Sequence, residues 1–293
     1  MNKIIPTPIY FISKKLNIKL SNIKILDGNK KNNSILYRVG NFVVKPETNL
    51  FYKNIYPSIK KLNLIDQKYI PNYKSIQYKN FNYFYYEYIE GKKFYNYIYK
   101  LRLKNNRILI NNMIKFIKFY INIDTKKFDN LTTIPPCLIR PSIIFENDNI
   151  SFTRSLKNNL EKIYNISIKK QKKTNKKLLL FEDLNTHNIL IDKKNNIKLI
   201  DMSDGIIIGN YNLYIHRYFS FLWSFGEKTI DKALIDCNIN NDDTLTKELS
   251  FVYFCRHHIF SHGLCDNIID RLKSFIVKYK YYKISKNILK TLS

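Results

Sequence analysis

The sequence contains few residues that break or cross-link a chain. Its 293 residues include only seven glycines, eight prolines and four cysteines. So little glycine and proline excludes a collagen-like repeat and a linker-rich chain. None of the four cysteines forms a C-x-x-C pair, and so few in a chain of this length indicate reduced thiols rather than a disulfide framework.

Long apolar runs are also missing. No run approaches the roughly 18 residues that a membrane-spanning helix needs. The N-terminus carries Lys3, a proline-broken apolar stretch and further lysines, without the apolar core and cleavage site of a signal peptide. We therefore expect a cytoplasmic protein. The chain does contain 45% apolar and 15% aromatic residues, enough for a packed core in one large domain or two lobes.

Acidic residues are scarce, since 23 Asp and Glu face 50 Lys and Arg and leave a formal net charge of +27. One interpretation is a surface for nucleic acid, anionic lipid or phosphorylated ligands. The other is compositional, because the lysine excess accompanies Asn, Ile and Tyr, which A/T-rich codons encode. The lysines are spread along the chain, so we favour the compositional interpretation and expect no specific nucleic-acid partner.

The first ninety residues have the pattern of a small sheet with one helix. Apolar runs of strand length cover residues 23–26, 35–39, 42–45, 73–77 and 83–89. A turn at Gly40-Asn41 joins two of these runs, which is a hairpin signal. A helix is predicted over 51–64, interrupted near Pro57.

After Gly91 the apolar spacing becomes helical. One stripe of a predicted helix consists of Leu109, Met113, Phe116 and Tyr120. The pattern further predicts a helix at 156–166, strands at 178–181, 189–192 and 197–201, and mainly helix from Asn212. This order predicts an α+β, two-lobed fold. The predicted lobes are a small antiparallel-sheet lobe over 1–88 and a larger, mainly helical lobe over 89–293.

The segment at 178–205 carries the clearest chemistry. Asp183 and Asn188 lie on a loop before one predicted strand, and Asp201 ends the next strand. A hairpin of this length brings its two ends together, so two carboxylates and an amide oxygen could converge. Phosphoryl transfer needs such a set, because one carboxylate accepts a proton while the other groups hold Mg²⁺ against nucleotide phosphates. Two ordinary turns are the alternative interpretation.

The motif D-L-N-T-H-N-I-L-I-D followed by I-K-L-I-D resembles the catalytic and metal loops of the aminoglycoside phosphotransferase and choline kinase superfamily, which has a protein-kinase-like fold. The resemblance implies that Asp183 is the catalytic base and that Asn188 and Asp201 are magnesium ligands. The sequence of the loop also resembles that of lipopolysaccharide-core sugar kinases of the Kdo type.

The same resemblance assigns nucleotide contacts in the first ninety residues. Lys45, at the end of V-V-K, matches the lysine that reaches the α- and β-phosphates of ATP. The loop from Gly28 would lie over the phosphates, with backbone contacts from Asn33 or Ser34. Y-E-Y-I-E-G resembles the hinge between lobes, where adenine would pair with the Glu87 carbonyl and the Ile89 N–H.

Two departures from the family pattern keep an inactive kinase-like nucleotide-binding protein as an alternative. Phe181 stands where the family has a histidine, two residues before the catalytic aspartate. The helix glutamate that pairs with the lysine is missing, because the only glutamate between Lys45 and Leu64 is Glu47.

The expected function is therefore ATP- and Mg²⁺-dependent phosphorylation of a small-molecule hydroxyl. Candidate acceptors are an amino sugar, choline or ethanolamine, a related metabolite, or a lipopolysaccharide-core sugar. The sequence leaves open whether His187, His216 and Arg217 contact the acceptor or pack in the core.

Overall fold

The structure is a computed structural model that describes residues 7–29, 34–47, 56–66, 68–98, 106–128, 131, 151–201, 205–260 and 268–292. It divides into two compact units. The first contains Met1–Gly91 and Lys198–Ile206, and the second contains Lys92–Ile197 and Ile207–Ser293.

The first unit is built on an antiparallel sheet of five strands in the order β1-β2-β3-β5-β4. The strands are β1 Ile23–Asn29, β2 Ser34–Val39, β3 Phe42–Glu47, β4 Lys74–Tyr78 and β5 Phe81–Glu87. The predicted turn between β2 and β3 is present, and Gly40 adopts a φ of +60° there. A residue with a side chain is strained at such a φ, which explains glycine at this position.

The β1–β2 hairpin is longer than the apolar pattern predicts. Leu26 lies at a register shift, after which Asp27, Gly28 and Asn29 pair with residues of β2 as far as Ser34. The prediction of a loop from Gly28 to Ser34 is therefore wrong at both ends. Backbone pairing continues through a β-bulge whatever the polarity of the side chains, and hydrophobic periodicity does not report it.

Two helices accompany this sheet, α1 Thr7–Lys15 and α2 Tyr56–Ile65. Ile9 and Ile12 of α1 are fully buried in one cluster with residues of the sheet, among them Val39 and Val44. The sequence analysis did not predict α1, whose apolar residues are interrupted by Pro8. Helix α2 begins later than predicted, with Pro57 in its first turn, where the missing N–H costs no hydrogen bond.

The second unit is mainly helical. Its helices are α3 Tyr95–Ile98, α4 Arg107–Ile121, α5 Ser151–Lys170, α6 Tyr211–Tyr214, α7 His216–Phe219, α8 Glu227–Asp236, α9 Asn241–Thr244, α10 Thr246–Phe254 and α11 Ile268–Leu292. Five short strands lie within this unit or at its boundaries along the chain. They are β6 Gly91–Lys93, β7 Lys177–Phe181, β8 Ile189–Asp192, β9 Ile197–Leu199 and β10 Ile206–Asn210. The predicted antiparallel sheet followed by a mainly helical region is confirmed, as is the α+β class.

An aromatic core supports β7 and the loop that follows it. The predicted stripe of α4 is fully buried, and Tyr120 of this stripe packs edge-on against Phe181, with ring centroids 4.9 Å apart. The Tyr218 hydroxyl donates a hydrogen bond to the Leu179 carbonyl over 2.7 Å. The end of β7 is thus held from two helices, α4 and α7. Among the described helices, none is long and apolar enough to cross a membrane.

Candidate active site

The loop between β7 and β8 brings Asp183 and Asn188 together. The Asn188 amide nitrogen donates to Asp183 Oδ2 over 2.8 Å and to the Asp183 carbonyl over 3.1 Å. Asn188 is buried, whereas Asp183 is exposed. A buried amide therefore orients an accessible carboxylate, as a general base requires.

Asn185 organises the interior of this loop, a role that the sequence analysis missed. Its side-chain oxygen accepts the backbone N–H of His187 over 2.8 Å and that of Asn188 over 3.2 Å. Its amide nitrogen donates to Asp183 Oδ1. Both carboxylate oxygens of Asp183 thus accept an asparagine N–H. The short Asn-Thr-His-Asn sequence is typical of such side-chain-to-backbone turns, which is the signal that could have revealed it.

His187 is half-buried on the same loop and stacks on Tyr95, with centroids 4.6 Å apart and an angle of 20° between the rings. Burial and the Lys93 ammonium lower the pKa of His187, although the Asp183 carboxylate acts in the opposite direction. Burial and the Lys93 charge both favour the neutral imidazole. The backbone N–H of Tyr95 donates to the Thr186 carbonyl over 3.1 Å, so α3 begins at this loop.

Two further residues hold the start of the loop. Phe181 occupies the position of the family histidine and is buried, so packing against Tyr120 anchors this point. The Arg217 guanidinium donates from Nη2 to the Glu182 carbonyl over 2.7 Å. Arg217 is buried within the second unit. The sequence left open whether this side chain contacts the acceptor or packs in the core, and in the structure it binds the backbone of the loop.

In the first unit, Lys45 and Asp201 meet although 156 residues separate them. Lys45 Nζ donates to Asp201 Oδ1 over 2.8 Å. Lys45 lies on β3 opposite Phe84 of β5, so the sheet fixes its position. The lysine side chain is 20% exposed and the carboxylate is 41% exposed. The pair is therefore accessible to a ligand.

The segment that carries Asp201 is tied to the chain that follows α2. The Leu199 N–H donates to the Tyr69 carbonyl over 2.7 Å. The buried Asp66 carboxylate accepts the backbone N–H groups of Lys68 and Tyr69 over 2.9 and 2.7 Å. Asp201 itself has a φ of +54°, a left-handed conformation that Asp and Asn tolerate better than most residues.

Helix α2 supplies no carboxylate to Lys45. Its sequence, YPSIKKLNLI, contains no acidic residue. The glutamate that the sequence analysis could not find is therefore absent from α2 as the structure defines this helix. The Lys45 ammonium instead binds the Asp201 carboxylate.

Of the remaining predicted nucleotide contacts, Ser34, Glu87 and Ile89 lie at or just after strand ends of the first unit. Ser34 begins β2, and Asn33 lies outside the described residues. Glu87 ends β5 opposite Phe42, and Ile89 follows two residues later. Between them the Tyr88 N–H donates to the Asn41 carbonyl over 2.7 Å. The contacts of these residues with nucleotide stay predictions.

The two predicted magnesium ligands, one in each unit, each carry an oxygen of the hard type that Mg²⁺ prefers. Asn188 uses its amide nitrogen to bind Asp183, which leaves the amide oxygen as its ligand atom. The Asp201 carboxylate is accessible, and its role as a magnesium ligand stays a prediction. No group of three or more His, Cys, Asp or Glu side chains forms a metal cluster within the described part of the chain.

Comparison with solved structures identifies the fold. A spectinomycin phosphotransferase, APH(9)-Ia, in complex with ADP and spectinomycin, has a TM-score of 0.57 and 15% identity over 96% of this chain and 94% of that chain. The streptomycin–ATP complex of APH(2")-IIa has a TM-score of 0.53 and 18% identity over 88% and 93%. The chain has the fold of the aminoglycoside phosphotransferases.

The same fold extends to a macrolide 2'-phosphotransferase type I, with a TM-score of 0.52 and 11% identity over 97% of both chains. No protein-family model matches the sequence, and no curated protein matches it. The predicted protein-kinase-like fold of the small-molecule kinases is confirmed. The likeness to Kdo-type sugar kinases stays a prediction.

Proposed function

We propose that this protein is an ATP-dependent phosphotransferase that acts on a hydroxyl group of a small molecule. The observation that carries the proposal is the β7–β8 loop, in which Asn185 and Asn188 hold the exposed Asp183 carboxylate. The loop belongs to a fold that a spectinomycin phosphotransferase and APH(2")-IIa, solved in complex with streptomycin and ATP, also have. A fold alone does not specify an activity, so the residues of the site supply the argument.

In the proposed reaction, the acceptor hydroxyl oxygen forms a bond to the γ-phosphorus of ATP, and the bond from that phosphorus to the bridging oxygen breaks. ADP leaves, and the hydroxyl proton passes to Asp183. The two asparagine N–H donors fix the carboxylate, so that it presents a lone pair to the incoming hydroxyl. This contribution is positioning and general-base catalysis.

The first unit would bind the nucleotide. The Lys45 ammonium would bind the α- and β-phosphates, Asn33 or Ser34 would contribute backbone contacts, and the backbone of Glu87 and Ile89 would pair with adenine. Asp201 and Asn188 would hold Mg²⁺, which when bound neutralises phosphate charge. The proposed cofactors are thus ATP and Mg²⁺.

The proposed reaction is specific, but several classes of small molecule could supply the hydroxyl group. The proposed candidates are amino sugars, choline or ethanolamine, and related hydroxylated metabolites, with lipopolysaccharide-core sugars as an alternative. A net charge of +27 opposes the approach of strongly cationic acceptors at low ionic strength. Acceptors of low or negative charge therefore deserve equal weight in a screen.

The direct test is ATP consumption by the purified protein with Mg²⁺, measured across these acceptors at low and at moderate salt. Asp183→Ala serves as the control for contaminating kinases. Acceptor-dependent turnover that disappears in Asp183→Ala supports the proposal. Absence of turnover with every acceptor contradicts it.

A second candidate is a catalytically weak or inactive nucleotide-binding protein of the same fold. The observation that favours it is α2, which carries no acidic residue to hold Lys45. Calorimetry with a non-hydrolysable ATP analogue separates the two candidates, because this alternative predicts binding without turnover.

A further inference from the structure

We propose that Arg217 is a positioning residue for the catalytic loop, which it holds by the carbonyl of Glu182. Glu182 immediately precedes Asp183 in the sequence, so a fixed Glu182 carbonyl fixes the peptide plane that leads into the proposed base. The kinetic part of this inference rests on the proposed function, whereas its structural part does not.

The geometry gives Arg217 two anchors. Its Nη2 donates to the Glu182 carbonyl over 2.7 Å, and its Nε donates to the Tyr253 hydroxyl over 3.2 Å. The guanidinium carbon lies 5.4 Å from the centroid of the Tyr253 ring. The His216 ring packs edge-on against the same tyrosine. Tyr253 of α10 thus orients the guanidinium, and the guanidinium orients the loop.

The charge of Arg217 is costly where it lies. The residue is 7% exposed, and within the described part of the chain its guanidinium contacts a carbonyl, a hydroxyl and an aromatic ring. Removing a cation from water is unfavourable unless hydrogen bonds and an aromatic face replace its solvation. Phe219 and Phe221, which follow closely in the sequence, are fully buried without a charge, so burial in this part of the fold does not by itself require a cation.

A guanidinium offers something that an apolar residue cannot. Its N–H donors lie in one rigid plane, so a bond to Tyr253 at one edge determines the direction of the bond at another. Asn185 and Asn188 organise the loop from within, and Arg217 connects that network to α10. Loss of Arg217 should therefore loosen the loop as a unit.

The experiment combines kinetics with hydrogen exchange of the loop amides. Arg217→Met keeps the length of the side chain and removes its donors. We expect kcat to fall about 10- to 100-fold with KM for ATP within about twofold of wild type, because the base is misplaced while the nucleotide contacts remain. The amides of Asn185, His187 and Asn188 should exchange about tenfold faster. Arg217→Lys, which retains one donor direction, should recover part of both losses.

Lys247→Met is the matched control. Lys247 is a half-buried cation of the same unit whose ammonium pairs with Glu227 and Asp231 over 2.9 and 2.7 Å, outside the loop. It should leave kcat and the loop amides unchanged. Wild-type exchange of the loop in Arg217→Met, or equally fast loop exchange in Lys247→Met, would overturn the inference.

Two outcomes need a second measurement. If Arg217→Met fails to fold, Tyr253→Phe and Arg217→Lys decide, since faster exchange confined to the loop supports the inference and wild-type exchange in both overturns it. If wild-type protein turns over no acceptor, the proposed function fails. Hydrogen exchange of the loop still tests the role of Arg217.

Discussion

Two pairs of polar residues carry the proposed chemistry, and they are held in opposite ways. Asp183 and Asn188 are five residues apart on one loop, and their hydrogen bonds are made within that loop. Lys45 and Asp201 are 156 residues apart and meet because the sheet and the segment after β9 place them together. The first pair is a product of local sequence, the second a product of the fold.

The difference has an energetic consequence. A buried amide holds Asp183 by two hydrogen bonds, and breaking them would leave buried polar groups unpaired at a cost of about 1–3 kcal/mol. An accessible ion pair such as Lys45–Asp201 contributes only about 0–1 kcal/mol. The loop should therefore keep its conformation when ligands bind. The ion pair can separate at little cost, so that Lys45 can bind phosphate and Asp201 can bind the metal ion.

The sharpest test of this comparison removes the base. Asp183→Ala should lower kcat on the order of 100-fold or more, because a positioned general base contributes that much. Affinity for Mg·ATP should stay near wild type, since the base contributes to proton transfer rather than to nucleotide binding. ATP consumption and calorimetry with a non-hydrolysable analogue measure both quantities.

Asp236→Ala, which removes an exposed carboxylate at the end of α8, is the control for that experiment. Its kcat should equal that of wild type. Full activity in Asp183→Ala would remove Asp183 from the mechanism.

Disrupting the Lys45–Asp201 ion pair should mainly affect nucleotide affinity, in contrast to removal of the base. Lys45→Ala should weaken ATP binding roughly 10- to 100-fold, because a charged hydrogen bond contributes about 1.5–3 kcal/mol. The fold should persist, since the pair is accessible and contributes little to stability. Calorimetric titration and thermal unfolding test this, with the exposed Lys74→Ala of β4 as the matched control. Equal ATP affinity in Lys45→Ala and wild type would contradict the assignment.

Asp201→Asn should act on the metal rather than on the nucleotide alone. The substitution preserves shape and removes charge, so Mg²⁺ should no longer strengthen nucleotide binding, a loss of about tenfold in affinity at saturating Mg²⁺. Titrations with and without Mg²⁺ give this difference directly. A magnesium effect as large as that of wild type would argue against Asp201 as a ligand.

The smallest expected effect concerns His187, which reports on the loop without any substrate. In wild type its pKa lies below the ordinary value of 6.5, and the Asp183 charge opposes that shift. Asp183→Ala should therefore lower the pKa of His187 further, whereas Lys93→Met should raise it. NMR titration of the imidazole measures both directions, and an unchanged pKa in both variants would show that these charges do not act on the loop.

The same lowered pKa gives a dependence of stability on pH. The unfolded chain binds a proton to His187 more readily than the folded chain does, so this residue disfavours the folded state as pH falls through 6.5. His187→Gln should lose that dependence in thermal unfolding measured from pH 7 to 5.

The comparison also explains what the sequence could predict. The Asp183–Asn188 spacing is a local signal, because the hydrogen bonds that orient Asp183 come from residues 185 and 188 of the same loop. The stripe Leu109, Met113, Phe116 and Tyr120 likewise predicted a buried helix face, and all four are fully buried. Local periodicity and turn chemistry carry such information.

Other features have no local signal. The extension of β1 to Asn29 depends on pairing with β2 across a bulge, and polar side chains conceal it. Arg217 binds a backbone carbonyl, a group that every residue possesses, so no residue type at position 182 could predict the partner. Lys45 was assigned by resemblance, and the sequence pattern alone could not place it beside Asp201.

The left-handed backbone at Asp201 bears on how such a protein could change over time. One base separates the codons of Asp and Asn, and asparagine accepts this φ as readily as aspartate does. A chain whose composition drifts towards A/T-rich codons could therefore exchange this carboxylate for an amide at the cost of one accessible ion pair and without backbone strain. Selection for folding would not oppose that exchange, so only a requirement for the charge would keep Asp at this position. Residue 201 is thus the position to compare first when active members of this fold are separated from inactive ones.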